Sequence, residues 1–512
     1  MRQYIFHNTI SKRKILRFAG IFSIISLIGL IVFLFIPELL MARPGGGQSY
    51  SGGSGSSGGD GIAGLIIWLI LQLPPQISIP LIIVIIVFYY FKNKKEKGHE
   101  VTIASNPTYA NKFNEFNNIE QSLEQFKQKD PDFSRLLFWD FVSSIYHKYY
   151  SYIGKPDFKN IKPFIAPYIW EQVQNNPLNK QTDISEIVIG NINFISVFED
   201  EKYTGIVVDI KSNYTKTKEG KSTRFVLTER WMFNRKKGIL SKPPEEMRDL
   251  KCPNCGAPAD FNDAGECQYC NTFITAGEMQ WSVNQITIIK QEVFNTKGLA
   301  HYEQEIGTDY PTVISPVINT YITAFVQKHK LKDWDSYWQS FTDNIAYKYF
   351  SEIYDAWSEM QWQKVRHLLS DRLYESYNFW IEAYKREHLQ NRLDNLSIKK
   401  IDMAAIETDK YYEAFTVRIF ASCYDYVVNR EGKIIGGSKK KARYFSEYWT
   451  FMRRSGVDFK ESEFSLHNCP NCGAPADKMG QAAVCEYCGA KISNGDFSWI
   501  LTRIVQDEEY TS

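Results

Sequence analysis

The nine residues Cys252-Pro253-Asn254-Cys255-Gly256-Ala257-Pro258-Ala259-Asp260 occur a second time, unchanged, as Cys469-Pro470-Asn471-Cys472-Gly473-Ala474-Pro475-Ala476-Asp477. A second Cys-x2-Cys pair follows each copy. Two residues between cysteines let one tight turn direct both sulfurs at one ion, and two such turns make a closed four-sulfur site that suits zinc. We therefore predict two structural zinc ribbons, at 252–270 and 469–488. Their ligands are Cys252, Cys255, Cys267, Cys270, Cys469, Cys472, Cys485 and Cys488.

The residue after the second cysteine of each pair supports the metal-binding interpretation. It is Gly256, Gly473 or Gly489 in three turns and Asn271 in the fourth. These are the residue types that best tolerate a positive φ angle. The alternative is two disulfides per ribbon, which a reducing compartment disfavours. Cys423 is left over, and its place in an apolar alternation predicts a core residue.

Working outward from the ribbons, the flanking sequence also repeats. Glu229-Arg230-Trp231-Met232-Phe233 is echoed by Glu447-Tyr448-Trp449-Thr450-Phe451. Farther upstream, three apolar positions recur at a constant offset: Phe141, Tyr149 and Ile153 against Phe341, Tyr349 and Ile353. We predict two tandem copies, the first unit at residues 100–290 and the second unit at residues 300–506.

Each unit reads as helices followed by an antiparallel sheet, which is an α+β fold. Helical spacing joins Trp338, Phe341, Ile345, Tyr349 and Ile353, and later Leu373, Tyr377, Trp380, Ile381 and Tyr384. Strands are predicted at 397–407, 411–429 and 442–454, and in the first unit at 186–199, 203–214 and 222–234. A further strand is expected at 277–281 and at 495–499, so each ribbon lies before the last strand of its sheet.

The first 91 residues have a different composition. An apolar run at 19–36 predicts a transmembrane helix or signal peptide within residues 1–42. Residues 43–61 are a Gly/Ser-rich linker. Residues 62–91 are predicted to form an interfacial helix and then a transmembrane segment, because Pro74-Pro75 divides the run.

Charge gives the orientation of these segments. Lysines and arginines flank both apolar runs on their outer ends, whereas the Gly/Ser linker carries Arg43 alone. The positive-inside rule then places residues 92–512 in the cytoplasm, at the inner membrane. The net charge of the chain is only +2, which argues against a nucleic-acid partner.

The second unit resembles the mitochondrial inner-membrane translocase subunit Tim44 and its bacterial relatives. The matching stretches include Leu368-Leu369-Ser370-Asp371-Arg372-Leu373-Tyr374, Trp380-Ile381-Glu382-Ala383-Tyr384, Asp409-Lys410-Tyr411-Tyr412 and Phe445-Ser446-Glu447-Tyr448-Trp449-Thr450-Phe451. The Gly-rich sequence that begins at Arg43 is similar to the front of the bacterial members. The first unit matches more loosely.

This resemblance implies that each unit folds like nuclear transport factor two, as a cone of curved antiparallel sheet closed by helices. It also implies a scaffold at a membrane face that holds polypeptide or membrane-protein partners, or contacts membrane lipid. No segment resembles the chaperone-contacting region of the mitochondrial relative. That partner is therefore not carried over to this chain.

Two functions follow as hypotheses. The first is a membrane-anchored, non-enzymatic binding protein with two structural Zn²⁺ ions, since the sequence has no phosphate loop, nucleophile elbow or His-Glu-x-x-His motif. The second is an enzyme that uses an acid inside an aromatic-lined cone. Trp380, Tyr384, Glu447 and Trp449 are the candidate pocket residues for either function, and core packing is the alternative role for them.

Overall fold

The structure, a computed structural model, describes residues 107–247, 250–262, 264–294, 299, 307–457, 465–476, 479, 480, 482–507, 509 and 510. The predicted membrane segments and the Gly/Ser linker, all within residues 1–91, lie outside this range. Among the described helices, none combines the length and the apolar character that a bilayer crossing requires.

The first unit begins with helices and ends with a four-stranded sheet. Its α-helices are α1 (Pro107–Lys129), α2 (Arg135–Tyr152), α3 (Pro167–Asn175) and the short α4 (Pro244–Met247). Two 3-10 helices, Pro156–Phe164 and Pro177–Gln181, flank α3. The strands are β1 (Thr182–Glu199), β2 (Tyr203–Lys218), β3 (Lys221–Lys236) and β4 (Ser282–Val293).

The second unit repeats this order of helices followed by strands. Its α-helices are α5 (Ile318–His329), α6 (Trp334–Phe341), α7 (Tyr347–Ser358) and α8 (Asp371–Arg386), and a π-helical turn at Thr342–Ala346 joins α6 to α7. Two 3-10 helices lie at Gly307–Asp309 and Trp362–Leu368. The strands are β5 (Gln390–Thr408), β6 (Tyr412–Val428), β7 (Ile434–Gly437), β8 (Arg443–Arg454) and β9 (Ile500–Gln506).

Both sheets are antiparallel meanders, and the α+β prediction is confirmed. The strand orders are β1-β2-β3-β4 and β5-β6-β8-β9, with β7 paired to β6. The same isolated parallel bridge occurs in each unit, between Ile165 and Val283 and between Leu369 and Leu501. Equivalent strand order and equivalent bridges give the two units the same local plan.

Alternation and capping explain how the sequence forms these elements. On β6 the alternation predicts one buried face, and Phe415, Val417 and Ile419 are fully buried. Thr416 and Arg418 between them are buried too, so both faces of this strand are covered. Helix α8 begins where the Ser370 hydroxyl accepts a hydrogen bond from the Leu373 amide at 3.3 Å. Its apolar residues, Tyr377 among them, are buried against the sheet.

The strand predicted after each ribbon begins later than expected. Residues 277–281 and 495–499 form turns, and β4 and β9 start immediately after Trp281 and Trp499. Gly277 and Gly495 have φ angles of 80° and 78°, which an extended strand does not accommodate. The prediction that the ribbon precedes the last strand of the sheet is confirmed by the strand order.

The two units pack against each other through apolar and charged contacts. Val188 and Val226 of the first unit belong to the apolar core of the second. Arg135 of α2 pairs with Glu120 at 2.8 Å and with Glu407 of the second unit at 3.4 Å. Arg503 of β9 donates to Asn191 of β1 at 3.1 Å. The interface therefore buries several charges.

Candidate metal centres, buried acids and an interdomain cleft

The structure brings all eight predicted cysteines together in two groups of four. In each group the sulfur atoms lie within 4.8 Å of one another. Each Cys-x2-Cys turn is called a knuckle. The shortest sulfur–sulfur distances between the two knuckles of a group, such as Cys252 to Cys270 and Cys469 to Cys488, are 3.9 Å. Four convergent thiolates form a closed tetrahedral set, so each group can hold one metal ion.

The backbone of each knuckle explains why the sulfurs converge. In the first, the Cys252 amide donates to Ala257 O at 2.8 Å and the Gly256 amide donates to Cys252 O at 2.9 Å. The residue after the second cysteine has a positive φ in all four knuckles, as predicted: Gly256, Asn271, Gly473 and Gly489, at 71°, 53°, 74° and 71°. A Cβ at Gly256 would meet nothing within 4 Å, so the backbone angle alone accounts for the glycine.

An asparagine in each first knuckle supports the sulfur cluster, and the sequence analysis missed its role. The side-chain amide of Asn254 donates to the Cys270 sulfur at 3.5 Å, and that of Asn471 donates to Cys488 at 3.4 Å. The sequence feature that could have indicated this role is the recurrence of Asn between the first two cysteines of both ribbons. Hydrogen bonds of this kind orient metal ligands and stabilise the thiolate.

The four thiols of a cluster differ in acidity. Hydrogen bonds, first from Thr272 and then from Asn254, lower the pKa of Cys270 to about 6. The Ala490 amide and then the Asn471 side chain lower the pKa of Cys488 to about 6. Burial instead raises the pKa of Cys252 to about 12. Metal binding must therefore displace protons from the buried thiols, which makes it pH-dependent.

The two ribbons are seated differently. In the first, Cys252, Phe261 and Ile274 belong to the main apolar core of the first unit. In the second, Met479 and Ile492 form a separate small cluster with the cysteines. Polar contacts link the second ribbon and the residues just after it to the helices of its unit. Gln363 donates to Met479 O at 3.0 Å, and Lys491 and Ser493 donate to Asp371 at 2.7 Å and 2.8 Å.

The acid that recurs between aromatics on β3 and β8 is buried and hydrogen-bonded in both units. Glu229 accepts from Tyr146 at 2.6 Å and from Tyr150 at 2.5 Å. Burial raises the pKa of Glu229, against the opposing effect of these hydrogen bonds. Glu447 is 2% exposed and accepts from Tyr354 and, at 3.0 Å, from the Trp449 indole.

The four candidate pocket residues are all buried, and they do not share one location. Glu447 and Trp449 are in contact, and Trp449 packs on Phe350 at 5.3 Å between ring centres. Trp380 is 5% exposed and stacks edge-on against Phe294, at the end of the first sheet, at 5.8 Å. The Tyr384 hydroxyl donates to Leu299 O at 3.0 Å.

A cleft of about 690 Å³ lies between the units. One wall is formed by half-buried residues of α2, Asp140, Ser143 and Lys148, and the other includes Arg372 and Glu375 of α8. None of the four candidate pocket residues lines it. Its remaining lining residues are Leu136, Trp139, Ser144, His147, Ser370, Asp371, Met452, Lys491, Ser493, Asn494 and Thr502.

The cleft wall contains polar atoms without a protein partner. The indole N–H of Trp139 and the hydroxyl of Ser143 are buried and have no hydrogen-bond partner among the described residues. Behind Trp139, the guanidinium of Arg503 stacks on the indole at 5.2 Å. Burial lowers the pKa of Arg503 to about 9. Arg503 itself does not line the cleft, and it donates hydrogen bonds to Asn191 and Asn193 of β1.

Comparison with known protein families gives a match within the second unit. A family model described as the Tim44-like domain matches residues 332–469. Within the second unit, this stretch is similar to the Tim44-like domain. The match runs from just before α6 to Cys469, and so ends where the second ribbon begins. No curated protein matches the chain.

Proposed function

We propose that this protein is a membrane-anchored, cytoplasm-facing scaffold of the inner membrane that engages polypeptide or membrane-protein partners, in connection with protein translocation. The observation that carries the proposal is the Tim44-like match over residues 332–469. The apolar segments and flanking lysines of residues 1–97 support the anchoring and the orientation. In this proposal Tim44-like domains act by binding, not by catalysis.

The architecture proposed for this role is two cones like nuclear transport factor two, in tandem, each stapled by one structural Zn²⁺. The repeated strand order and the two four-cysteine clusters support it. Zinc is the proposed metal because four thiolates leave no open coordination position, and a redox-inert ion suits a closed site.

The enzymatic alternative receives less support from the surroundings of Glu447. A general base needs access to substrate, whereas Glu447 is 2% exposed and is engaged by Tyr354 and Trp449. The same acid in the first unit, Glu229, is fully buried between two tyrosines. We propose that both acids anchor helix to sheet.

The interdomain cleft is the partner-binding surface that we propose. Its walls come from both units, so the cleft forms only when the two units are present together. Its lining carries three acids and three bases, besides His147, and such a mixture suits a polypeptide with charges of both signs.

Crosslinking in intact membranes tests this proposal. The full chain carries Glu375→Lys, inside the cleft, or Glu382→Lys, an exposed position on the same helix outside it. We expect wild-type protein and the Glu382 variant to crosslink to the same partners, and the Glu375 variant to lose them. Equal yields from all three would place the partner elsewhere, and a wild-type chain without reproducible partners would overturn the scaffold.

A further inference from the structure

The second ribbon and the residues just after it form part of the interdomain cleft. Lys491, Ser493 and Asn494 line the cleft, whereas no described residue of 252–276, the matching stretch of the first unit, lines it. Lys491 and Ser493 both donate to Asp371, the first residue of α8, which is itself a lining residue. This part of the cleft wall is therefore shared between the metal-binding loop and a helix.

The first unit has no charges at the matching positions. The isolated parallel bridge that both units share aligns α3 with α8, and this alignment puts Pro167 where the second unit has Asp371. An antiparallel bridge within each ribbon puts Phe273 where the second unit has Lys491. A proline and a phenylalanine cannot form an ion pair, so this link between ribbon and helix is particular to the second unit.

The metal cluster fixes the position of Lys491. The last knuckle of the second ribbon is closed by a hydrogen bond from the Cys485 amide to Ala490 O at 2.9 Å, and Lys491 is the next residue. Among the described residues, the buried apolar cluster of this ribbon has five members, and two of them are metal-binding cysteines. In so small a unit, metal binding supplies much of the folding free energy. Loss of the metal should therefore release the ribbon from α8.

We infer that the metal of the second ribbon holds the interdomain cleft in the shape that binds the partner. The inference rests on the partner-binding cleft and the zinc of the proposed function. Because linked binding equilibria are reciprocal, the contact with Asp371 must in turn strengthen metal binding by this ribbon. The contact is half exposed, which puts the coupling at the low end of the usual range, at about fivefold in affinity. Asp371 is then a positioning residue for the ribbon.

The first experiment measures metal retention by each ribbon of the full chain. The protein is equilibrated with increasing concentrations of a zinc chelator, and a short pulse of N-ethylmaleimide then alkylates the cysteines that have lost their metal. Mass spectrometry reads the two ribbons separately. Lys491→Met and Asp371→Asn should each lower the chelator concentration that half-empties the second ribbon by about fivefold, with no shift for the first ribbon.

Two features of these variants separate the link from general damage. Lys491→Met leaves the pair between Arg366 and Asp371 in place, so the buried Arg366 guanidinium keeps its partner. Glu382→Gln, at an exposed position on the same helix outside the cleft, is the matched control and should shift neither ribbon.

The second experiment reads the cleft itself. Carbodiimide coupling labels accessible carboxylates, and Asp371 should label severalfold faster in Cys472→Ser, because loss of the metal removes the donors from the ribbon. Cys472→His restores a fourth zinc ligand and should keep the wild-type rate. Glu382 is the internal reference in each sample. Crosslinking to partners in intact membranes should follow the same order, lost in Cys472→Ser and retained in Cys472→His.

Unchanged metal retention in Lys491→Met, or unchanged labelling of Asp371 in Cys472→Ser, would overturn the inference and leave the scaffold standing. Equal shifts in both ribbons would also overturn it, since they would report general loosening of the chain. Wild-type crosslinking by a Cys472→Ser chain with an empty second ribbon would show that the cleft binds without this metal, against the inference. A wild-type chain that crosslinks to no partner would instead overturn the proposed function, whatever the first experiment shows.

Discussion

Cys255→Ser and Cys472→Ser form a matched pair that measures what each metal cluster contributes. Both cysteines are exposed and follow the same Cys-Pro-Asn sequence. A serine hydroxyl does not replace a thiolate as a zinc ligand, so each change removes one ribbon's metal. Both ribbons lie in loops of about 45 residues, so the entropy of the opened loops is the same. A difference in stability between the variants therefore reports packing.

The packing of the two ribbons predicts unequal losses. Release of the first ribbon exposes Phe261 and Ile274, now 0% and 4% exposed in the core of the first unit, at about 1.5–3 kcal/mol each. Cys255→Ser should therefore cost about 3–6 kcal/mol of the first unit's stability. The second ribbon has its own apolar cluster, and its half-exposed Lys491–Asp371 pair contributes about 0–1 kcal/mol. Cys472→Ser should leave the core of the second unit intact.

Three measurements on the full chain check this. Metal analysis should show two ions in the wild type and one in each variant. Hydrogen exchange should accelerate in β3 and β4 for Cys255→Ser, and only within residues 469–492 for Cys472→Ser. Equal acceleration of both sheets, or a larger loss for Cys472→Ser, would refute the argument that core packing of the ribbon decides the cost.

Three other outcomes are expected. As a core residue, Trp380 should cost the second unit about 3–5 kcal/mol of stability when it is changed to Ala, as measured by denaturant unfolding. A Trp380→Ala variant that folds and binds partners fully would contradict both the core role and the pocket role. Burial raises the pKa of Glu229, so the folded protein holds this proton more tightly than the unfolded chain does. The free energy of unfolding should therefore fall as the pH rises above 4.5. Glu229→Gln should flatten this pH dependence, whereas Glu219→Gln, on an exposed turn, should not. Protease added outside sealed cells should spare residues 92–512 and cut the linker at 43–61, and cleavage of the ribbons from outside would reverse the predicted orientation.

Local sequence spacing was sufficient for several features. The cysteine spacing, and the Gly or Asn after each pair, predicted the two clusters, because each Cys-x2-Cys turn is closed by its own backbone hydrogen bonds. Apolar alternation located β6 and β8 to within about two residues, because side chains two positions apart point to the same face of a strand. The α+β class followed from the order of these elements.

Contacts between distant residues were beyond that reasoning. Nothing in the spacing indicated that Tyr354 would reach Glu447, that Phe294 of the first unit would cover Trp380, or that α2 and α8 would form a cleft. The connection between β6 and β8, at residues 429–444, shows this division most clearly. Its lysines were visible in the sequence, but the exposure of Ile434 and Ile435 beside them arises only when β7 pairs with β6. Sequence determines what lies within a few residues along the chain, whereas side-chain partners and exposure depend on which surfaces the folded units bury against each other.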